Sequence, residues 1–234
     1  MEETPMDPFA PTARRGFLAR LAGTAAAVGI GSSLPRPLSA TRVQASPNDA
    51  WLDKQTGAHR CLFDFPNHAG GLPLLHMFNY LNTYNSAYGT KPGEVNAIGT
   101  LYFVGETSSI PLAFNDAMWE KYKLGAYLKL TDPKTSAPST RNMFNAPLAG
   151  DPVLFNGAFA AASIANLQKM GATFLLCNNA LGLLVGQLAQ QSGGTPAAVG
   201  AELKANVLPG VMLVPAMVIA IEKAQSKGIA YNKQ

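Results

Sequence analysis

Thr173-Phe174-Leu175-Leu176-Cys177-Asn178-Asn179-Ala180-Leu181 is the stretch that decides the fold. A short apolar run reaches a cysteine, two asparagines follow, and an apolar pattern of helical period begins. That is how a buried parallel strand reads when it ends at a helix N-terminus. Asn is a good N-cap, so the helix is expected to open at Asn178 or Asn179. Cys177 then lies at the carboxyl end of a strand and faces the positive end of a helix, a setting that favours the reactive thiolate. The competing reading is plain packing, because free cysteine is among the most buried residue types.

Strands and helices alternate on both sides of this stretch. Upstream, Ala58–Phe65 reads as a first strand and Pro66–Gly71 as a turn. Pro73 opens a helix, a position where its missing N–H costs nothing. Leu74, Phe78, Leu81 and Tyr88 would face the core, and Gly89 stops the helix. Val95–Val104 is a second strand, Gly105–Ser109 its loop, and Leu112–Leu130 a helix with Phe114, Met118, Tyr122 and Ala126 at spacing four. Phe155–Met170 is Ala-rich and reads as helix. Downstream, Thr195-Pro196 is a cap and first-turn pair for a further short helix. Gly210–Val214 is a fourth buried strand, and Pro215 starts the last helix with Val218, Ile221 and Ala224 inward. Gly228 ends that helix, and Ile229–Tyr231 is a short edge strand.

This alternation predicts one parallel sheet covered on both faces. Ligands of such folds bind beyond the carboxyl ends of the strands. The loops at Pro66–Gly71, Gly105–Ser109, Cys177–Asn179 and Pro215–Ala216 converge there, which brings His68 and Thr107 toward Cys177 as candidate orienting groups. Residues 131–152 break the pattern. This proline-rich segment is an insertion whose role is lid, oligomer contact or disorder, because so long a loop is uncommon inside a compact domain. The second cysteine, Cys61, falls inside the first strand, about 13 Å from Cys177 along the strand direction. A disulfide needs Cα atoms within about 7 Å, so both thiols are expected free and Cys61 is expected in the core.

The first 45 residues read as an address. Arg14-Arg15-Gly16-Phe17-Leu18 resembles the twin-arginine export signal. An apolar small-residue run from Leu21 to Ile30 follows, too short for a membrane span of roughly 20 residues. Cleavage after Ala40 or Ala45 would release a mature chain of residues 46–234, with no membrane span and a periplasmic location. Residues 1–45 carry five Arg against three acidic residues, and residues 46–234 carry 13 Lys/Arg against 11 Asp/Glu. The folded part is close to neutral and has no basic cluster, which excludes a phosphate-backbone footprint and hence nucleic acid.

Beyond the pivotal strand, three further pieces are familiar: Leu208-Pro209-Gly210-Val211-Met212-Leu213-Val214-Pro215, Ile221-Glu222-Lys223-Ala224-Gln225, and Gly228-Ile229-Ala230-Tyr231. Together with Phe174–Cys177 they resemble the DsrE/DsrF-like sulfur-relay family. The resemblance implies a three-layer α/β/α fold with a five-stranded, mainly parallel sheet (DsrEFH-like). It also implies assembly into trimers or hexamers, and a cysteine at the position of Cys177 that carries sulfur as a persulfide. The partners would be a small sulfur-containing anion such as thiosulfate, or a thiol on a partner protein. Backbone N–H groups at Asn178 and Asn179 would cradle the anion. This function needs Cys177 presented to solvent.

The alternative is a non-catalytic ligand-binding or assembly protein of the same fold with an inert cysteine. His59, His68 and His76 lack ligand spacing and have no CxxC partner, so no metal is expected, nor any other cofactor. No G-x-S-x-G occurs, and no phosphate-binding or dinucleotide glycine pattern follows a strand.

Overall fold

The computed structural model describes residues 46–234; the export signal and the cleavage positions read from the sequence lie outside them. The chain enters through a 3-10 turn at Pro47–Asp49 and a short helix α1 (Ala50–Asp53), then forms β1 (His59–Asp64). Helix α2 (Leu72–Ala87) follows, then β2 (Val95–Leu101), α3 (Asp116–Lys121), α4 (Leu124–Tyr127) and α5 (Ile164–Lys169). The pivotal strand is β3 (Thr173–Cys177), followed by α6 (Asn178–Ser192), α7 (Pro196–Ala205), β4 (Val211–Val214), α8 (Met217–Ser226) and β5 (Ala230–Lys233).

The strands form one five-stranded sheet in the order β4-β3-β2-β1-β5. Every neighbouring pair is parallel. Helices cover both faces, so the architecture is three-layer α/β/α. The layers are unequal. On one face Phe63, Ala97, Phe174 and Leu176 pack with residues of α2, α5, α6 and α7 and with Met143 and Phe144. On the other face Leu62, Ile98, Leu175, Cys177 and Val214 pack with α8, Trp51 and Ile229, flanked by the partly buried Leu52, Tyr102 and Ala180. Gly99 makes the thick face possible. A Cβ there would stand 2.8 Å from the Phe174 ring and 3.0 Å from Phe65, so only glycine lets both rings close over the middle of β2.

Several expectations are corrected. The segment Leu112–Leu130 is a 3-10 turn at Ile110–Ala113 followed by two short helices rather than one long one. The break has two local causes. Asn115 caps α3 through a bond from Met118 N, and Lys123 sits at φ 52°. The Ala-rich stretch 155–170 yields only α5 and a turn at Ala160–Ala162, because Leu154, Phe155 and Asn156 all take positive φ. Val95–Val104 stops pairing at Leu101. Tyr88, assigned to the core, is 73% exposed, and Val218, assigned to the inward face of the last helix, is 72% exposed. Strand β4 lies at an edge, so Leu213 is exposed where full burial was expected.

The proline-rich segment 131–152 is packed. Asn142 donates to the carbonyls of Leu112 and Phe114 at 3.0 and 2.8 Å, and Arg141 pairs with the fully buried Asp151 and with Asp132. Phe144 is buried against Trp119 and His68. Gly125 touches the Ser139 backbone so closely that a Cβ would fall 2.1 Å from its oxygen.

Candidate functional site

Cys177 is the last residue of β3 and itself the N-cap of α6. Neither asparagine caps the helix, in contrast to the expectation from sequence. The cysteine Sγ takes that role by accepting the Ala180 N–H at 3.5 Å. It also accepts the Met217 N–H, the first of α8, at 3.4 Å. One sulfur therefore terminates two helices, 15 and 10 residues long. Each helix presents the positive end of its dipole to that sulfur. The convergence follows from the sheet. Parallel β3 and β4 are adjacent and in register as Cys177↔Val214, so the helices that follow them start side by side.

The thiol is not open to solvent. Cys177 is 5% exposed and belongs to the cluster of Leu175, Val214, Met217 and Ala220. Two surface cavities lie beside its neighbours in sequence and register, and Cys177 itself lines neither. Its neighbour Asn178 lines a cavity of about 450 Å³ between α6 and α7, with Gly182, Gly200 and Lys204. A second cavity, of about 150 Å³, is bounded by Val214, Pro215 and Ala216 together with Trp51 and Lys223. It lies against the connection that delivers the Met217 N–H.

The other site residues read from the sequence are placed as follows. Asn178 is half-buried and Asn179 exposed. The Asn179 N–H donates to the Pro215 carbonyl at 3.3 Å and the Ala180 N–H to the Cys177 sulfur, so these groups are spent within the protein rather than left to cradle an anion. His68 and Thr107 do come together, through a bond from His68 N to Thr107 O at 2.8 Å. His68 is buried rather than solvated. Its Nδ1 accepts from Gly70 N at 3.1 Å, and burial holds its pKa below the ordinary imidazole value. Its ring meets Phe144, in the core of the opposite face from Cys177. Thr107 is exposed and donates to Asn67 Oδ1 at 2.8 Å. Among the described residues, no hydrogen bond joins either of them to Cys177.

A polar group that sequence reasoning passed over lies on the same face as Cys177. Asp64, at the end of β1, is 3% exposed and accepts from Tyr231 Oη at 2.7 Å and from Thr100 Oγ1 at 3.2 Å. Tyr102, just beyond β2, packs against the cluster that contains Cys177. The hydrogen bond to Asp64 and burial push Tyr231 up to about 12. Burial first, then the Asp64 carboxylate, also raises Tyr102. Both phenols keep their protons near neutral pH. The signal was present in Leu62-Phe63-Asp64-Phe65, where one carboxylate interrupts an apolar strand. Phe103 follows at φ 75° and is 48% exposed. A bulky residue in that region carries strain of about 1–3 kcal/mol, and here it marks the carboxyl edge of β2. Cys61, in contrast, is buried on the thick face, where burial alone pushes its thiol up to about 11. Both cysteines are free.

No family model matches the chain, and no curated protein matches it. Among solved structures, the chain is similar to a protein of unknown function, MTH1491 from Methanobacterium thermoautotrophicum. The two are 15% identical, with 75% of this chain and 99% of that one covered and a TM-score of 0.37. Among the described residues no helix is long and apolar enough to cross a membrane, and no cluster of His, Cys, Asp or Glu is grouped to hold a metal.

Proposed function

We propose that this is an exported protein that handles sulfane sulfur through Cys177. The observation that carries the reading is the pair of backbone N–H groups, from Ala180 and Met217, that converge on one sulfur. Thiol sulfur is a weak acceptor, and Ser, Thr or Asp would cap both helices better. A cysteine here is a poor choice for capping and a good one for chemistry. The segments that resemble the DsrE/DsrF-like family supply the reaction class. The Cys177 thiolate attacks the outer sulfur of thiosulfate. A new S–S bond forms, the old one breaks, and its electron pair leaves with sulfite. An acceptor thiolate later takes that outer sulfur, and Cys177 leaves as the thiolate. The two helix ends meet the negative charge on sulfur before and after each transfer.

The twin-arginine pair Arg14-Arg15 supports action outside the cytoplasm, in the periplasm. Exposed Leu213, Val218 and Ile219, on the β4 edge and the start of α8, support assembly into a trimer or hexamer.

One observation favours a second reading. At 5% exposure Cys177 is shielded, as suits an inert cysteine in a ligand-binding or assembly protein. Incubation of the native full chain with thiosulfate or polysulfide separates the two. Sulfur handling predicts a gain of one sulfur atom in the intact mass, and none in Cys177→Ser. Equal masses before and after, or an equal gain in the variant, leave the inert reading standing.

A further inference from the structure

Residues 46–53 run as a strap along the flank of α8 that faces β4. Trp51 is its plug. It is 1% exposed and shares the small cluster of Cys177, Leu175, Val214 and Met217. Asp49 is its latch, paired with Lys223 of α8 at 2.5 Å. Gln55 ties down the far end by donating to Trp51 O at 2.9 Å and to Thr173 Oγ1 at 3.2 Å. Between latch and plug lies the cavity of about 150 Å³. Its wall is Val214, the register partner of Cys177, together with Pro215 and Ala216, which lead to the Met217 N–H on the sulfur.

The fastening is uneven. The plug is buried, whereas the latch is partly exposed, with 30% and 20% of the two side chains open to water. A partly solvated ion pair is weak and weakens further with salt. Elsewhere on the same face, Asp64 is tied to Thr100 of β2 and Tyr231 of β5 by hydrogen bonds that run between strands of the sheet itself. On the strap side a single side-chain bond, from Gln55 to Thr173, reaches the sheet, so the strap is the more movable wall.

We propose that the strap 46–53 is the gate to Cys177. Undocking of Trp51 joins the small cavity to the thiol and admits a reagent, and docking returns the sulfur to its shielded state. The proposal rests on the reading of Cys177 as a reactive group, and it reconciles that reading with the low exposure. It also makes thiol reactivity rise with salt, since salt loosens the latch.

The test is alkylation of the native full chain by iodoacetamide, with the modified cysteine located by peptide mass spectrometry. Cys61, in the core of the opposite face, serves as an internal control for general loosening. Trp51→Ala is expected to raise the Cys177 rate by about tenfold or more and Lys223→Met by about threefold, in keeping with a modest surface pair. Cys61 stays slow in both. Two results would overturn the gate: an unchanged Cys177 rate in both variants, or a parallel rise at Cys61. A rise in Tyr231→Ala but not in Trp51→Ala would place the entrance at Tyr231 and equally defeat the proposal. If Trp51→Ala fails to fold, Lys223→Met and Asp49→Asn decide alone. Alkylation needs no sulfur donor, so the two readings can fail separately. Gated alkylation without sulfur uptake defeats the sulfur reading only, and sulfur uptake with ungated alkylation defeats the gate only.

Discussion

Replacing Cys177 by Ala and by Ser separates its two jobs. In Cys177→Ala the N–H groups of Ala180 and Met217 lose their common acceptor. A buried donor left unpaired costs about 1–3 kcal/mol, and because sulfur accepts weakly each loss belongs near the lower end, about 2 kcal/mol for the pair. The space left by the buried thiol adds about 1 kcal/mol. The total of about 3 kcal/mol corresponds to a fall in Tm of about 6–12 °C in a domain of this size. Cys177→Ser keeps an acceptor at both helix ends and is expected within about 1 kcal/mol of the parent. Urea and thermal unfolding followed by far-ultraviolet circular dichroism measure both. The reasoning fails if Ala and Ser cost the same, because the sulfur would then be ordinary packing and not the terminus of two helices.

Gly125→Ala should destabilise by about 1–3 kcal/mol or more, since its Cβ would meet the Ser139 oxygen at 2.1 Å, whereas Gly186→Ala, with open space around it, should be neutral or slightly stabilising. Comparison of the two midpoints tests whether segment 131–152 is seated on α4 as described; equal effects would mean that it is not. Burial holds the folded-state pKa of His68 below the ordinary imidazole value of about 6.5, so the unfolded chain takes up the proton first and stability falls as pH drops from about 6.5 toward the folded-state value. His68→Asn keeps an acceptor for Gly70 N and removes the titration, so its Tm should fall less between about pH 7 and pH 5; an identical fall in both proteins contradicts this.

The strands were legible because burial on both faces writes itself as continuous apolar runs. Phe174-Leu175-Leu176 needed no tertiary information, whereas Val211–Val214 reads the same way although it lies at an edge and leaves Leu213 exposed. What the sequence hid was decided by contacts distant in the chain. Ala-rich 155–170 has good helix propensity, yet Leu154 N bonds to the Gly70 carbonyl at 2.6 Å, and Gly157 presses against the Leu148 carbonyl at positive φ. Those contacts override a local preference worth a few tenths of a kcal/mol per residue. Residues 131–152 owe their order to Asn142 and Arg141, whose partners lie up to 30 residues away. At the site, the sequence placed Cys177 at the junction of strand and helix. It missed the second helix on the same sulfur, because that contact spans 40 residues, and it gave the cap to an asparagine. It sent His68 toward Cys177, although the side chain turns into the opposite face. Asp64, Tyr102 and Tyr231 were visible only as a carboxylate out of place in an apolar run.

The most direct measurement is the position of the added sulfur after the native chain meets thiosulfate. Peptide mapping without reductant should find one extra sulfur on the peptide that contains Cys177, none on that of Cys61, and its loss once an acceptor thiol is added. An unmodified Cys177 peptide, or sulfur shared between the two cysteines, would contradict the account.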